Sequence, residues 1–312
     1  MSSDNRPTEE TQDHTSKGIA ALILATLFFA GQDAITKHLA ASLPIVQIVC
    51  IRFFFFALFA LIYASRKSSL RGALASKMPK TQILRGLLIC SEIALFAYGL
   101  RFLGLAEFHA IFACFPLVIT ALSVPMLGEK VGLRRWLAVL LGFIGTLIII
   151  QPDGGVFSPY ALIGLACAIM FAIYNLITRK VSRQDSFETS LLYFGLVGFV
   201  ATLLVAPFFW QAPTQNEMAW LLVISVTGIF GHLLLIKALE LAPAVILQPF
   251  NYFILIWAMI IGYSIYGEIL EATTLVGAGL VVCSGIYIAR REYLVSRAER
   301  RRLRKALYPP EV

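Results

Sequence analysis

Charge is what this chain has least of. Asp, Glu, Lys and Arg together make up 14% of its 312 residues, against 59% hydrophobic residues, and the mean hydropathy is +0.80. A water-soluble domain carries about a quarter charged residues, so the solvent for most of this chain is lipid. Histidine is scarce too. The four present, His14, His38, His109 and His232, form no HExxH and no paired metal-ligand spacing, and no cofactor motif stands beside them. A membrane-embedded enzyme is left as a remote alternative: GYSIYG at 262–267 resembles a serine-nucleophile turn loosely, and no histidine follows it. The five cysteines all fall in apolar segments without metal-ligand spacing, which argues against a disulfide framework. Long polar connections are missing, so no soluble domain is inserted.

What the chain does have is a succession of apolar runs, each near the roughly 20 residues that cross a bilayer. Ten can be read, at 18–40, 45–63, 82–103, 105–127, 131–150, 159–178, 189–209, 218–239, 244–266 and 272–289. The first is too long for a signal-peptide core and is read as a retained helix. Lys and Arg gather in alternate connections: Arg66, Lys67, Arg71, Lys77 and Lys80 in one, Lys130, Arg134 and Arg135 in the next of the series, then Arg179, Lys180 and Arg183, then a tail with Arg290, Arg291 and six more. The intervening connections, such as QPDGG at 151–155 and WQAPTQNEM at 210–218, hold none. This asymmetry places both termini in the cytoplasm. The net charge of +8 then needs no nucleic-acid partner, because a basic tail just after a span rests on anionic lipid.

The phrase FFAGQDAITK at 28–37 returns as MFAIYNLITR at 170–179, pairing Asp33 with Asn175, Thr36 with Thr178 and Lys37 with Arg179. The likeness continues: Arg101 with Lys237, Gly128-Glu129 with Gly267-Glu268, Gly145 with Gly285. Offsets lie between 136 and 142, so each half holds five spans. An odd number turns the second half upside down relative to the first, and inverted repeats of this kind build transporters whose site lies near the midplane. The expected architecture is an all-α membrane protein of ten transmembrane helices in two inverted five-helix repeats. Its parts are an N-terminal tail at 1–17, repeats at 18–150 and 159–290, and a basic tail at 291–312.

With these features the chain resembles the EamA-type ten-helix transporters of the drug/metabolite transporter superfamily. The resemblance rests on the two five-span halves, on Pro116 and Pro249 each followed by an apolar run ending in Gly-Glu, and on the glycine-rich fifth helices LGFIG and GAGLVVCSG. It implies a secondary transporter working by alternating access on a small organic molecule, as a monomer or homodimer. The opening TSKGIAALILATLFFAGQDAITKHLA with VQIVCIRFFFF is similar to the branch of riboflavin importers and related vitamin or adenosylmethionine permeases. Uptake of a vitamin-like compound such as riboflavin is the implied function, and export of an amino acid or other metabolite is the alternative.

Charges at mid-membrane are costly unless paired or wet, so each is a candidate for the substrate site. Glu92 lies mid-span on one helical face with Arg85, either lining a cavity or locked to that arginine. Asp33 and Lys37 stand one turn apart, where a salt bridge would suit them. Arg52 could pair with Asp33 or Glu92 or bind an anionic group. Asn175, His232 and Asn251, with Gln248 beside it, add polar atoms near the midplane. Tyr98, Tyr174 and Trp257 lie inside spans rather than at their ends, where they could stack on a planar ligand. His109 and Glu107 are read as helix-start residues outside the site, Glu129 and Glu268 as loop or cap residues.

The charge distribution makes a direct prediction. A reporter fused after Val312 will be active only in its cytoplasmic form; activity in the periplasmic form would remove the ten-span topology.

Overall fold

The computed structural model describes residues 9–67, 69–128, 131–150, 159–242 and 244–307. Residues 1–8, Glu129, Lys130, the 151–155 loop and the end of the basic tail lie outside the described residues, as do the side chains of Gln248 and of the tail beyond 294. Among the described residues the regular structure is helical. The helices are α1 (Glu9–Ala40), α2 (Ile45–Lys67), a short α3 (Leu70–Leu74), α4 (Pro79–Gly99), α5 (Leu105–Phe112), α6 (Phe115–Leu127) and α7 (Leu133–Ile150). The second half supplies α8 (Pro159–Val181), α9 (Phe187–Leu203), α10 (Gln215–Leu241), α11 (Ala244–Leu247), α12 (Phe253–Tyr266) and α13 (Ala272–Leu307).

Nine helical stretches among these are long and apolar enough to cross a membrane, and α9 is a shorter apolar helix. Together they give ten spans. The expected span at 189–209 starts two residues earlier, where Ser186 caps α9 by accepting from the Thr189 N–H, and ends near 203 because Pro207 turns the chain into a 3₁₀ segment. Helix α10 starts on a capping box of Thr214 and Glu217.

The fourth span of each half is broken, as the two prolines require. α5 stops at Ala113 and α6 restarts with Pro116 in its first turn, a position that lacks no hydrogen bond for want of an N–H. In the second half, α11 gives way to a 3₁₀ turn at Gln248–Tyr252 that holds Pro249 before α12 begins. Both broken spans end on a glycine in the left-handed region, Gly128 at φ 70° and Gly267 at φ 65°. Among the described residues these two alone have positive φ, and they are repeat mates. A Cβ at either would be strained, so glycine closes both helices.

Interfaces between the halves come in exchanged pairs. α1 packs on α10 and α12, while its mate α8 packs on α4 and α6. α2 meets its mate α9, the broken span α5 meets α12, and α7 meets α13. The α7–α13 seam is the tightest of these. A Cβ on Gly145 would sit 2.7 Å from the Gly277 carbonyl oxygen, and one on Gly277 would sit 2.6 Å from that of Gly145. Small residues let two backbones touch where lipid offers no hydrophobic drive for association. The outer faces of α7 and α10 are apolar and exposed, with Leu137, Leu140, Leu147, Val226 and Phe230 turned outward as a lipid surface requires.

Gly277→Ala puts its methyl group against a backbone oxygen that cannot swing aside, which costs about 1–3 kcal/mol by overpacking. A Cβ at Gly279, one turn-fraction away on the same helix, meets nothing within 4 Å. In detergent, Gly277→Ala will lower the apparent melting temperature by several degrees and Gly279→Ala will not; equal melting of both variants would mean the seam yields.

Candidate functional site

Between the two halves lies a cavity of about 640 Å³, walled by α1, α2, α4, α5, α8, α9 and α10, with Ile254 of α12. It reaches the surface at exposed Ser182, Ser186 and Phe187, in the turn that joins α8 to α9. Eight phenylalanine and tyrosine rings face it, among them Phe112, Phe171 and Tyr174, with Phe171 and Tyr174 stacked at 6.0 Å and 26°.

Six of the nine residues singled out from the sequence meet in this wall: Asp33, Arg52, Glu92, Tyr174, Asn175 and His232. The other three do not reach it. Tyr98 is 42% exposed on the outer face of α4 against Phe102. Asn251 sits in the 3₁₀ turn behind the wall, and Trp257 lies on α12 beside Phe253 with its indole N–H buried. Position within a span did not reveal which way these side chains point.

The ion pairs also differ from the expected ones. Lys37 does not bridge to Asp33. Its ammonium donates to the Leu103 carbonyl oxygen at 2.9 Å and pairs with Glu268 at the end of the ninth span. Asp33 instead has its Oδ2 3.2 Å from Nε2 of His109, which is buried and makes no hydrogen bond of good alignment through either ring nitrogen. The short aspartate stays at the level of the cavity, while the long lysine stem carries its charge a turn further. His109 therefore belongs to the cavity wall, contrary to its reading as a helix-start residue. The signal was the break after α5, one turn beyond His109, which turns this helix toward the midplane.

Arg85 does not lock to Glu92 either. Its guanidinium crosses to α8 and α9, donating to Thr178 Oγ1 at 3.3 Å and the Ser190 carbonyl oxygen at 2.5 Å, and lies 5.5 Å from the Tyr174 ring centre. Arg52 makes the matching contact to Thr36 Oγ1 at 3.4 Å, so the repeat-mate threonines each receive one guanidinium. His232 is ringed by Phe29, Phe56 and Phe194, and its Nδ1 bonds the Gly228 carbonyl oxygen at 2.8 Å. A carbonyl oxygen can only accept, so Nδ1 of His232 carries a proton. Asn175 spends one amide hydrogen on the Phe171 carbonyl oxygen at 2.7 Å.

At the open mouth, Asp185 accepts from Ser76 Oγ at 2.5 Å, the Lys77 N–H at 2.7 Å and Gln82 Nε2 at 2.9 Å. Burial raises its pKa, but these donors together outweigh burial and hold the carboxyl below its ordinary value. The tie across the mouth is therefore complete at neutral pH and is lost as pH falls through the depressed pKa.

The opposite end is shut. Glu268 sits at the start of α5, with Oε2 3.5 Å from the Ala106 N–H, while it holds Lys37. Tyr266 donates to the Ala34 carbonyl oxygen at 2.6 Å. Beyond them lies a second, outer hollow of about 670 Å³ that includes Lys37, Arg101 and Tyr266. The Glu268 carboxylate thus joins α12 of one half to α1 and α5 of the other. Its neighbour Gly104 leaves room for this: a Cβ there would lie 3.0 Å from Oε2.

The described residues include no group of three or more His, Cys, Asp or Glu placed to hold a metal ion. The chain matches the EamA-like transporter family over residues 16–151 and 158–290, one match to each half. It belongs to that family. As a member it is a multi-pass small-molecule transporter of the drug/metabolite superfamily. It is 28% identical to the S-adenosylmethionine uptake transporter of Rickettsia bellii, over 89% of this chain and 94% of that one. It is likewise 28% identical to the riboflavin transporter of Vibrio cholerae, over 92% and 97%. The pseudopaline exporter CntI of Pseudomonas aeruginosa is 25% identical over 89% and 98%. A solved crystal structure shares the fold at a TM-score of 0.60 and 17% identity, over 90% of this chain and 98% of that one.

If the Lys37–Glu268 pair keeps the far end shut, its loss opens a second route to the cavity. In a cysteine-free background, Asn175→Cys will react with an impermeant thiol reagent from the α8–α9 side alone, and adding Glu268→Gln will allow reaction from both sides. Oriented vesicles read this directly; labelling that stays one-sided would show that the pair does not hold that end.

Proposed function

We propose that this protein takes up a planar heteroaromatic metabolite of the vitamin or nucleoside type across the bacterial inner membrane by alternating access. The observation that carries the reading is the aromatic wall of the cavity between the inverted halves. Its volume falls within the roughly 300–1,000 Å³ usual for small-ligand sites, and rings such as Phe112, Phe171 and Tyr174 offer flat faces on which a fused ring can stack. The riboflavin and S-adenosylmethionine carriers among its relatives support the same cargo class, since both cargoes carry a fused ring system. With both termini in the cytoplasm, the mouth at Ser182 and Ser186 faces inward and the Lys37–Glu268 end faces outward. The substrate-contacting set is Asp33, Arg52, Glu92, Tyr174, Asn175 and His232 together with Arg85 and His109.

Export of an amino-acid-type metabolite is the competing reading, supported by the resemblance to the pseudopaline exporter. The purified protein in liposomes should show saturable counterflow of labelled riboflavin or S-adenosylmethionine, and its expression should rescue a bacterium that depends on external supply of the cargo. Non-saturable flux would indicate a channel. Absence of counterflow with both compounds would remove the heteroaromatic reading, and counterflow without rescue would favour export.

A further inference from the structure

Almost every polar group facing the cavity has a partner: Asp33 has His109, Arg85 has two oxygens, Asp185 has three donors, and His232 has a carbonyl. Two charges stand apart. Glu92, entering from α4, is 4% exposed, and its carboxylate takes part in no hydrogen bond or ion pair among the described residues. Arg52, entering from α2, makes one long contact, to the Thr36 hydroxyl at 3.4 Å, and no ion pair. The two feel each other's charge and that of Asp33, yet they lie beyond the 4 Å reach of a salt bridge. A fold that needed them only to hold helices together would have closed that gap, because a buried pair repays its desolvation when the geometry is close. Held apart in one cavity, a cation and an anion leave a slot that wants one opposite charge on each side.

We infer that Arg52 and Glu92 form a split receptor for a zwitterionic amino-acid head group. The guanidinium is suited to take a carboxylate in two parallel hydrogen bonds, and the Glu92 carboxylate an ammonium. The ring of the same molecule then lies among Phe112, Phe171 and Tyr174. A single zwitterion satisfies both side chains without changing the net charge of the cavity, whereas a neutral ring compound satisfies neither. This rests on the heteroaromatic cargo proposed above and narrows it. S-adenosylmethionine has an amino-acid head on an adenine nucleoside; riboflavin has no charged head group. The preferred cargo is therefore a nucleoside carrying an amino-acid group.

Binding to the full chain in lipid nanodiscs tests this with four probes. They are S-adenosylhomocysteine with ring and zwitterion, its decarboxylated analogue with the amine alone, methylthioadenosine with neither, and riboflavin. The wild type should bind the zwitterion at least tenfold tighter than each of the others. Arg52→Gln should bring the ratio between the zwitterion and its decarboxylated analogue close to one, and Glu92→Gln the ratio between the decarboxylated analogue and methylthioadenosine. The wild-type series needs no variant to fold. Equal wild-type affinity for S-adenosylhomocysteine and methylthioadenosine would overturn the split receptor while leaving the heteroaromatic reading intact. Failure of all four probes to bind would overturn both.

Discussion

The need to neutralise each charge carried into lipid governs how this chain is arranged. Lys37 lies deep enough in the bundle that its ammonium must find acceptors there, and it finds a carboxylate from the other half of the molecule and a carbonyl in the turn between α4 and α5. That single requirement draws α1, α5 and α12 together at one end. Arg85 meets the same demand by spanning the gap to α8 and α9. Helices that in lipid gain nothing from burying leucine against leucine are thus held by a few polar contacts and by close backbone approach.

The two halves carry one pattern of interfaces, yet the two ends of the cavity between them differ. One end is drawn shut around Glu268, while the end at the α8–α9 turn admits solvent to the cavity. Under the alternating access proposed above, a second arrangement would exchange the roles of the two ends. The contacts at the closed end are charged and hydroxyl-to-carbonyl bonds, which water can replace, so breaking them costs less than parting an apolar seam of equal area.

Much of the fold was legible because its signals are local. Ten spans, their alternation in Lys and Arg, and the breaks at Pro116 and Pro249 follow from composition and from the backbone chemistry of proline. The repeated polar phrase, together with the polar side chains read inside other spans, led to six residues of one cavity. What escaped was direction and reach. Asp33 and Lys37 are adjacent on a helix surface, but a flexible four-carbon stem allowed Lys37 to satisfy itself 231 positions away at Glu268. His109 could be placed in the wall only once the break after α5 aimed that short helix inward. Tyr98 and Trp257 share their depth in the membrane with true wall residues and differ only in the face they occupy. A uniformly apolar helix has a weak amphipathic signal, so its facing cannot be read from periodicity.

The mutual contact of Gly145 and Gly277 has a mechanical consequence. These helices touch backbone to backbone, with Leu280 and Ile149 packed close around the contact. Such a joint resists sliding and separation but tolerates a small change of crossing angle. It lies in the fifth helix of each half, away from the walls of the cavity. The joint can serve as a fulcrum: a few degrees of rotation there becomes a displacement of ångströms at the far helices, where the cavity opens and shuts. Under the alternating access proposed above, the joint would keep the halves assembled while they rock, with the stroke set by leverage.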